Sequence, residues 1–332
     1  MRDSKRVTLK DIAKVTGYSS NTVSKALRDA ADLSTATKDV IRQTAGNMGY
    51  VANAMASGLR SGHSNVIALI ISDISNPFFG ILTKEVEAQA MQYGSTVIVL
   101  NTEEDEKREE QALKAAISRN VDGVLLVPAW HGRQNIRMLQ NAKKPCVLVG
   151  RHLDDVAIDS VCFTDERGGY DAVSYLLSRD YRNVLMINVP YNSSASERER
   201  GYRKALTEYS LPSNVITVSS ALGGVRDELS RVIQSGAKFD AVFAFSDLIA
   251  FEAVCVLAEY GIKVPEDVGI VGFDDIQSRF QIPFPLNTVT VPKRELGVRI
   301  VDLLMRRISG DTEGFPQRVI LETKLTVRGS AK

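Results

Sequence analysis

The first 62 residues contain no glutamate. They hold five lysines, five arginines and five aspartates, a net +5, whereas the remaining 270 residues carry 31 basic and 35 acidic groups, a net −4. This makes a small basic head on a mildly acidic body, the footprint of a domain that meets phosphate. A solvated basic tail, the other reading, would not carry a helical apolar pattern. Cysteine is scarce and odd in number. Cys146, Cys162 and Cys255 sit in apolar segments without metal-ligand spacing, so they read as reduced core residues of a cytosolic protein. No run of about eighteen apolar residues exists to span a bilayer, and the opening MRDSKRVTLKDI lacks the apolar stretch of a signal peptide. No membrane partner is expected, and the expected location is cytoplasmic and nucleoid-associated. Histidine is limited to His63, His131 and His152, and there is no G-x-S-x-G, P-loop or H-E-x-x-H. Neither catalysis, metal nor cofactor is expected.

What is present starts with TLKDIAKVTGYSSNTVSKAL, residues 8–27. It reads as two short helices around a corner. Thr8 caps the first, with Leu9, Ile12, Ala13 and Val15 on its apolar side, and Gly17 supplies the positive φ of the turn. Ser19 caps the second, buried through Val23, Ala26 and Leu27. Ser20, Asn21, Thr22, Ser24 and Lys25 then face outward. Small polar donors at a helix start, with a cation one turn on, suit base edges and phosphates in a DNA groove. An ordinary helical hairpin is the competing reading. A third helix from Ser34 or Thr35 closes the head through Val40, Ile41, Ala45 and Met48, and Gly49 ends it. Residues 53–61 have helix formers but too few apolar contacts to fold alone, so they are expected to order on binding or to act as a linker.

Residues 1–62 resemble the DNA-binding head and hinge of the lactose/galactose-repressor (LacI/GalR) family of bacterial transcription regulators. The matching residues are TLKDIA at 8–13, TVS at 22–24, GY at 49–50, and Asn53, Ala56 and Leu59. The resemblance implies that Ser20, Asn21 and Lys25 read the major groove and that Leu59 wedges into the minor groove at the operator centre. It also places Asn53 and Ala56 in the DNA-contacting hinge. Such wedges unstack a base step and kink the duplex. Ala52 stands where the family often has Pro, and Gly58 weakens the hinge helix by roughly 1 kcal/mol relative to Ala.

From residue 65 the pattern alternates apolar strands with helices. Strands are predicted at 66–72, 96–101, 123–128, 145–150 and 161–164, then at 184–189, 215–218, 241–245 and 269–273. Helices lie between them, including 198–209 and 248–260. This rhythm implies parallel sheets covered on both faces, with ligand bound beyond the carboxyl ends of the strands. SDISNPFF (72–79), VDGVLLVPA (121–129), ERERGY (197–202), FSDLIA (245–250), VPEDVGIVGFDDI (264–276) and LTVRGS (325–330) extend the family resemblance nearly end to end. It implies an N-terminal all-α helix-turn-helix head and an α/β periplasmic-binding-protein-like body of two lobes, each a doubly wound parallel sheet. The expected division is a head at 1–52, a hinge helix at 53–63 and a ligand-binding and dimerisation body at 64–332. Lobe 1 covers about 64–162 and 291–319, lobe 2 about 163–290 and 320–330, with crossovers near 163, 290 and 320.

The cleft candidates are the residues that follow strands. Asp274 suits ligand hydroxyls, with turn capping as its other role, and the family aligns it with ligand. Arg198, in the family's R-x-x-G pattern with Gly201, is expected as a bidentate clamp. Phe78 and Phe79 offer an apolar platform or core packing, and Trp130 offers stacking or packing. Ser72, Asp73, Ser246 and Asp247 are polar strand-end residues. Ser246 replaces the Asn common in the family, and Gly150 stands where several sugar-binding relatives have Asp. The resemblance implies a homodimeric regulator of a pseudopalindromic double-stranded DNA operator, most often a repressor, controlled by a saccharide. A nucleoside or purine effector, or a protein corepressor, is the alternative within the family. A sugar receptor that never touches DNA would need a signal peptide and no basic head.

Overall fold

The computed structural model describes residues 7–51, 63–129, 133–190, 192–218, 224–279 and 282–332. Asn53, Ala56, Leu59 and Trp130 lie outside the described residues. The chain forms two compact units, Met1–Ser64 and Asn65–Lys332.

In the first unit, α1 (Leu9–Thr16) starts where the Thr8 N–H and hydroxyl both donate to the Asp11 carboxylate, at 2.8 and 2.7 Å. It ends on Gly17 at φ +76°, a left-handed conformation that glycine adopts without steric cost. The helix α2 (Ser20–Leu27) is capped by Ser19, whose Oγ accepts from the Thr22 N–H at 3.1 Å. Ser34 caps α3 (Thr35–Asn47) in the same way. Ile12, Val23, Ala26, Ile41 and Ala45 make the core, with Leu9, Leu27 and Met48 packed on it. Three expectations fail here. Val15 is 64% exposed and Val40 49% exposed, outside the core, while Ser24 is buried rather than outward-facing. The eight-residue helices of Val15 and Ser24 span only about two turns, so a periodicity fitted to them leaves the flanking positions free to fall on either side. Val40, in the 13-residue α3, falls beside Ile41 on the face away from the core.

The second unit holds two sheets. The first is built from β1 (Val66–Ile71), α4 (Pro77–Gln92), β2 (Thr96–Asn101), α5 (Glu106–Ser118), β3 (Gly123–Leu126), α6 (Arg133–Asn141), β4 (Cys146–Val149) and β5 (Asp159–Phe163). The second follows with α7 (Asp165–Ser178), β6 (Val184–Asn188), α8 (Ser193–Glu208), β7 (Asn214–Thr217), α9 (Gly224–Gln234), β8 (Ala241–Ala244), α10 (Asp247–Glu259), β9 (Gly269–Asp274) and β10 (Asn287–Thr290). The chain then returns through α11 (Lys293–Ile308), which packs on α4, and β11 (Arg318–Leu321), and it closes with β12 (Lys324–Thr326). Strand orders are β11-β5-β4-β3-β1-β2 and β12-β10-β9-β8-β6-β7. All pairings are parallel except β10 with β12, which runs antiparallel at the edge. The chain therefore passes between lobes after β5, after β10 and after β11.

Strands β1, β3, β4, β6, β8 and β9 are buried throughout or nearly so, which explains why they read as continuous apolar runs rather than alternating ones. Cys146 and Cys162 are buried and unpaired, and burial pushes both thiols up, Cys162 to about 12. Cys255, expected in the core, is exposed on α10. Among the described residues no helix is long and apolar enough to cross a membrane.

Candidate functional site

In the head, Ser19, Ser20 and Asn21 are exposed at the start of α2, and Thr22 and Lys25 are half-buried beside them. Thr8, at the start of α1, is exposed as well. The Lys25 ammonium meets Asp32 at 2.5 Å in an exposed pair, and Arg42 meets Asp29 at 2.8 Å. The Lys25 hydrogen bond holds the Asp32 carboxyl below its ordinary range, as Lys38 and Arg42 do for Asp29. Solvent screens such pairs, so little opposes their exchange for another anion. Ser24 packs inward and does not join this polar face.

In the body, both sheets reverse strand order between neighbours, at β1/β3 and at β6/β8. A cavity of about 200 Å³ opens between the lobes, at the carboxyl ends of these strands. Seven of the expected residues line it: Ser72, Asp73, Phe78, Phe79, Arg198, Ser246 and Asp274. Asn76 orients the first wall, its Oδ1 accepting from the Phe78 N–H at 3.0 Å to start α4. Phe78 and Phe79 pack edge to face, centroids 5.1 Å apart. Asp73 Oδ1 accepts from the Ser75 N–H and hydroxyl, at 2.8 and 2.7 Å. Ser246 caps α10 through the Ile249 N–H at 3.3 Å.

Arg198 reaches the cavity because α8 lies almost backbone to backbone on α7. A Cβ on Gly201 would stand 2.0 Å from the Glu166 carbonyl, and one on Gly169 2.5 Å from the Arg198 carbonyl. The glycine of the R-x-x-G pattern thus serves helix packing. Arg198 Nε donates to Asp165 at 2.7 Å and Nη1 to the Phe245 carbonyl at 2.5 Å. Its guanidinium carbon lies 3.5 Å from the Phe273 ring centroid and 4.5 Å from that of Phe245. Nε and Nη1 are thus held by the protein, while the carboxylate nearest Nη2 is Asp274 at 3.9 Å, which leaves this end of the fork for a ligand. Burial pushes the Asp165 carboxyl up against the pull of Arg198.

Asp274 stands 3.9 Å from Arg198 Nη2. Its backbone takes φ +108°, an unusual conformation for a residue with a Cβ. Burial pushes its carboxyl up to about 6, against Arg198 and Lys293. Lys293, which opens α11, donates to the Asp274 carbonyl at 2.5 Å and to the Asp275 carbonyl at 3.0 Å. Burial pushes the Lys293 ammonium down.

Asp247 does not line the cavity. It turns back between β8, β9 and β10, fully buried, where Thr288 Oγ1 meets Oδ1 at 2.5 Å and the Ile276 N–H donates to Oδ2 at 2.8 Å. Burial and the nearby Asp274 push its carboxyl up to about 8. Gly272 makes the space, since a Cβ there would lie 2.4 Å from Asp247 Oδ1.

The cavity residues that escaped the sequence reading include three charged ones, Glu104, Arg151 and Glu252. Glu104 follows β2 and Arg151 follows β4, and they meet fork to fork at 2.8 and 2.6 Å. Glu104 sits in the acidic run TEEDEKREE, which reads as a solvated surface, and Arg151 directly follows Gly150. Their position just beyond strand ends was the available signal. The lobes also meet directly beside the cavity: Ser194 Oγ donates to the Gly150 carbonyl at 2.8 Å, and His152 Nε2 meets Glu197 at 2.8 Å.

Comparison with known proteins joins the two units. Residues 8–53 match the model for bacterial regulatory proteins of the lacI family, and residues 64–327 that for periplasmic binding proteins and the sugar-binding domain of the LacI family. The chain is 30% identical to the HTH-type transcriptional regulator DegA of Bacillus subtilis, over 98% of each chain. It is 28% identical to a transcriptional regulator CelR solved with cellobiose, with a TM-score of 0.74 over 98% of this chain and 100% of that one. A lac repressor dimer bound to operator shares the fold at 22% identity, with a TM-score of 0.85 over 98% and 99%. A helix-turn-helix head and a two-lobe body with a cavity at its strand ends, matched in both parts by one family, make this chain a transcriptional regulator of the LacI family.

Proposed function

We propose that this regulator binds a pseudopalindromic operator as a homodimer, and that an uncharged small molecule, a saccharide first, binds the interlobe cavity and changes operator affinity. The observation that carries the reading is the cavity itself, with carboxylates and serines at strand ends beside the Phe78–Phe79 pair, a polar-plus-aromatic set suited to a sugar. At about 200 Å³ it falls below the range of about 300–1,000 Å³ for drug-sized ligands and suits a small one. The cellobiose in the CelR complex supports a saccharide as the ligand class. Ser20, Asn21 and Lys25 read the major groove, with Thr8, Ser19 and Thr22 holding phosphates or helix ends. Asn53, Ala56 and Leu59 are the hinge residues assigned to DNA contact, and Trp130 is assigned to stacking on the ligand or to packing. The chain works as head (1–52), hinge (53–63) and body (64–332), as a cytoplasmic DNA-bound regulator without catalytic activity. Met91 and Tyr93, exposed at the C-terminal end of α4, supply apolar surface for the partner copy.

The physical link between ligand and lobe movement runs through Asp274. Its carbonyl holds Lys293 at the start of α11, and α11 packs on α4 so closely that a Cβ on Gly297 would lie 2.7 Å from that of Glu85. A ligand that engages Asp274 therefore bears on a segment crossing between lobes. Its effect on operator affinity equals its differential affinity for the two lobe arrangements, typically about 1–3 kcal/mol. The test is fluorescence anisotropy of a labelled duplex carrying a palindrome from the gene's own upstream region, titrated at fixed salt with mono- and disaccharides and nucleosides. Release by one saccharide names an inducer, and tightening names a corepressor. Binding that no compound alters rejects small-molecule control in favour of a protein corepressor.

A further inference from the structure

The charges in the cleft restrict what it can hold. Among the described residues two cations line it: Arg151, whose fork is filled, and Arg198, whose Nε and Nη1 are held by the protein. Arg151 gives Nη1 to Glu104 Oε2 and to the Pro128 carbonyl, at 2.8 and 2.9 Å, and Nη2 to Glu104 Oε1 at 2.6 Å. That planar match is the one a sugar acid or a phosphate would otherwise make with a guanidinium. Arg198 is held by Asp165 and the Phe245 carbonyl, with its faces covered by Phe245 and Phe273. Opposite them stand four carboxylates, Asp73, Glu104, Glu252 and Asp274. The wall thus carries more negative than positive charge, in a buried setting where solvent screens little. Burial would push the Glu104 carboxyl up, but the charge and hydrogen bonds of Arg151, with help from Ser72, hold it below its ordinary value, so the pair stays ionised.

We propose that Glu104 sets the charge specificity of the effector: by occupying Arg151 it closes the cleft to phosphorylated and carboxylated ligands and leaves it to uncharged, hydroxyl-rich ones. Hydroxyl donors find the remaining carboxylates, Asp274 among them, which lies beyond hydrogen-bond reach of Arg198. An anion meets a filled Arg151 fork, one outer nitrogen of Arg198, and the repulsion of the carboxylates. This rests on the cleft being the effector site.

The test uses the full-length protein, with inorganic phosphate, glucose 6-phosphate, gluconate and glucose as probes at constant ionic strength set by chloride. Binding is read by calorimetry and by the melting temperature. Wild type is expected to show no response to the three anions beyond the chloride control. Glu104→Gln keeps the shape, leaves Arg151 unneutralised, and should bind phosphate or glucose 6-phosphate at least about tenfold more tightly than wild type. Adding Arg151→Met should abolish that gain while leaving any phosphate held by the head unchanged. Anion binding to wild type that Arg151→Met removes would overturn the proposal while keeping the cleft as a binding site. A folded Glu104→Gln protein with no gain would overturn the role of Glu104. If Glu104→Gln does not fold, the wild-type and Arg151→Met titrations decide alone. An uncharged sugar whose binding survives Asp274→Ala would count against the cleft reading instead.

Discussion

The head and the cleft treat their charges in opposite ways. Lys25 and Arg42 sit at the surface in exposed pairs with Asp32 and Asp29. Arg151 and Arg198 are bound inside, each by a carboxylate and a backbone carbonyl. A protein that must grip a polyanion keeps its cations where the exchange of one anion for another costs little. A pocket for an uncharged ligand does the reverse, since an uncommitted buried charge would be costly without a ligand and would attract the wrong one with it. On the proposed reading, one chain uses loose pairs to meet DNA and tight pairs to define a neutral site.

The contrast can be broken from the inside outward. Arg198→Ala strips a buried cation from Asp165 and is expected to destabilise the body by about 3–5 kcal/mol, measured by chemical denaturation of the intact protein. Loss of effector response should accompany it, and Arg198→Lys should not restore the response, because an ammonium lacks the planar fork. Gly201→Ala forces a methyl against the Glu166 carbonyl, with an expected cost of about 1–3 kcal/mol and a weakened effector response, since α8 carries Arg198. A stability unchanged within error would mean that the two helices part without consequence.

Protonation gives a subtler effect. Asp274 and Asp247 have folded-state values raised to about 6 and about 8 from 3.8. Their contribution is fully present below 3.8 and is lost as pH rises through about 6 and then about 8. The melting temperature of the body should therefore fall across that window, and Asp247→Asn, which mimics the protonated acid, should flatten the upper part. Melting curves from pH 4 to 9 check this, and an identical slope in the variant would contradict it. The smallest effect belongs to the head. Asp32→Ala frees Lys25 and should leave head stability nearly unchanged while tightening operator binding slightly, read by anisotropy; weaker binding would show that the pair positions Lys25 rather than occupying it.

The head was legible because one contiguous stretch holds both its caps and its core: Thr8, Gly17, Ser19 and Ser34 sit where the periodicity requires them. The misplaced Ser24 and Val15 mark the limit of periodicity in short helices. The cleft gathers residues from the ends of most strands in both sheets, between Ser72 and Asp274, so the rule about carboxyl ends had to find most of them. That rule found Ser72, Asp274 and Arg198's neighbourhood, and it had no means to tell Asp247, which turns inward, from Ser246 beside it. Glu104 and Arg151 are ordinary surface residues until the fold brings them together.

The most direct measurement of the central contrast is a salt titration of both equilibria on the same preparation. Operator affinity should fall by about 10³–10⁵ between 50 and 200 mM salt if six to ten phosphates are engaged. Affinity for the effector found in the duplex screen should stay flat over the same range, because the cleft recognises no net charge. A flat operator response would contradict DNA binding through the basic head. An effector affinity that falls with salt would show a charged ligand and a cleft with an unpaired cation.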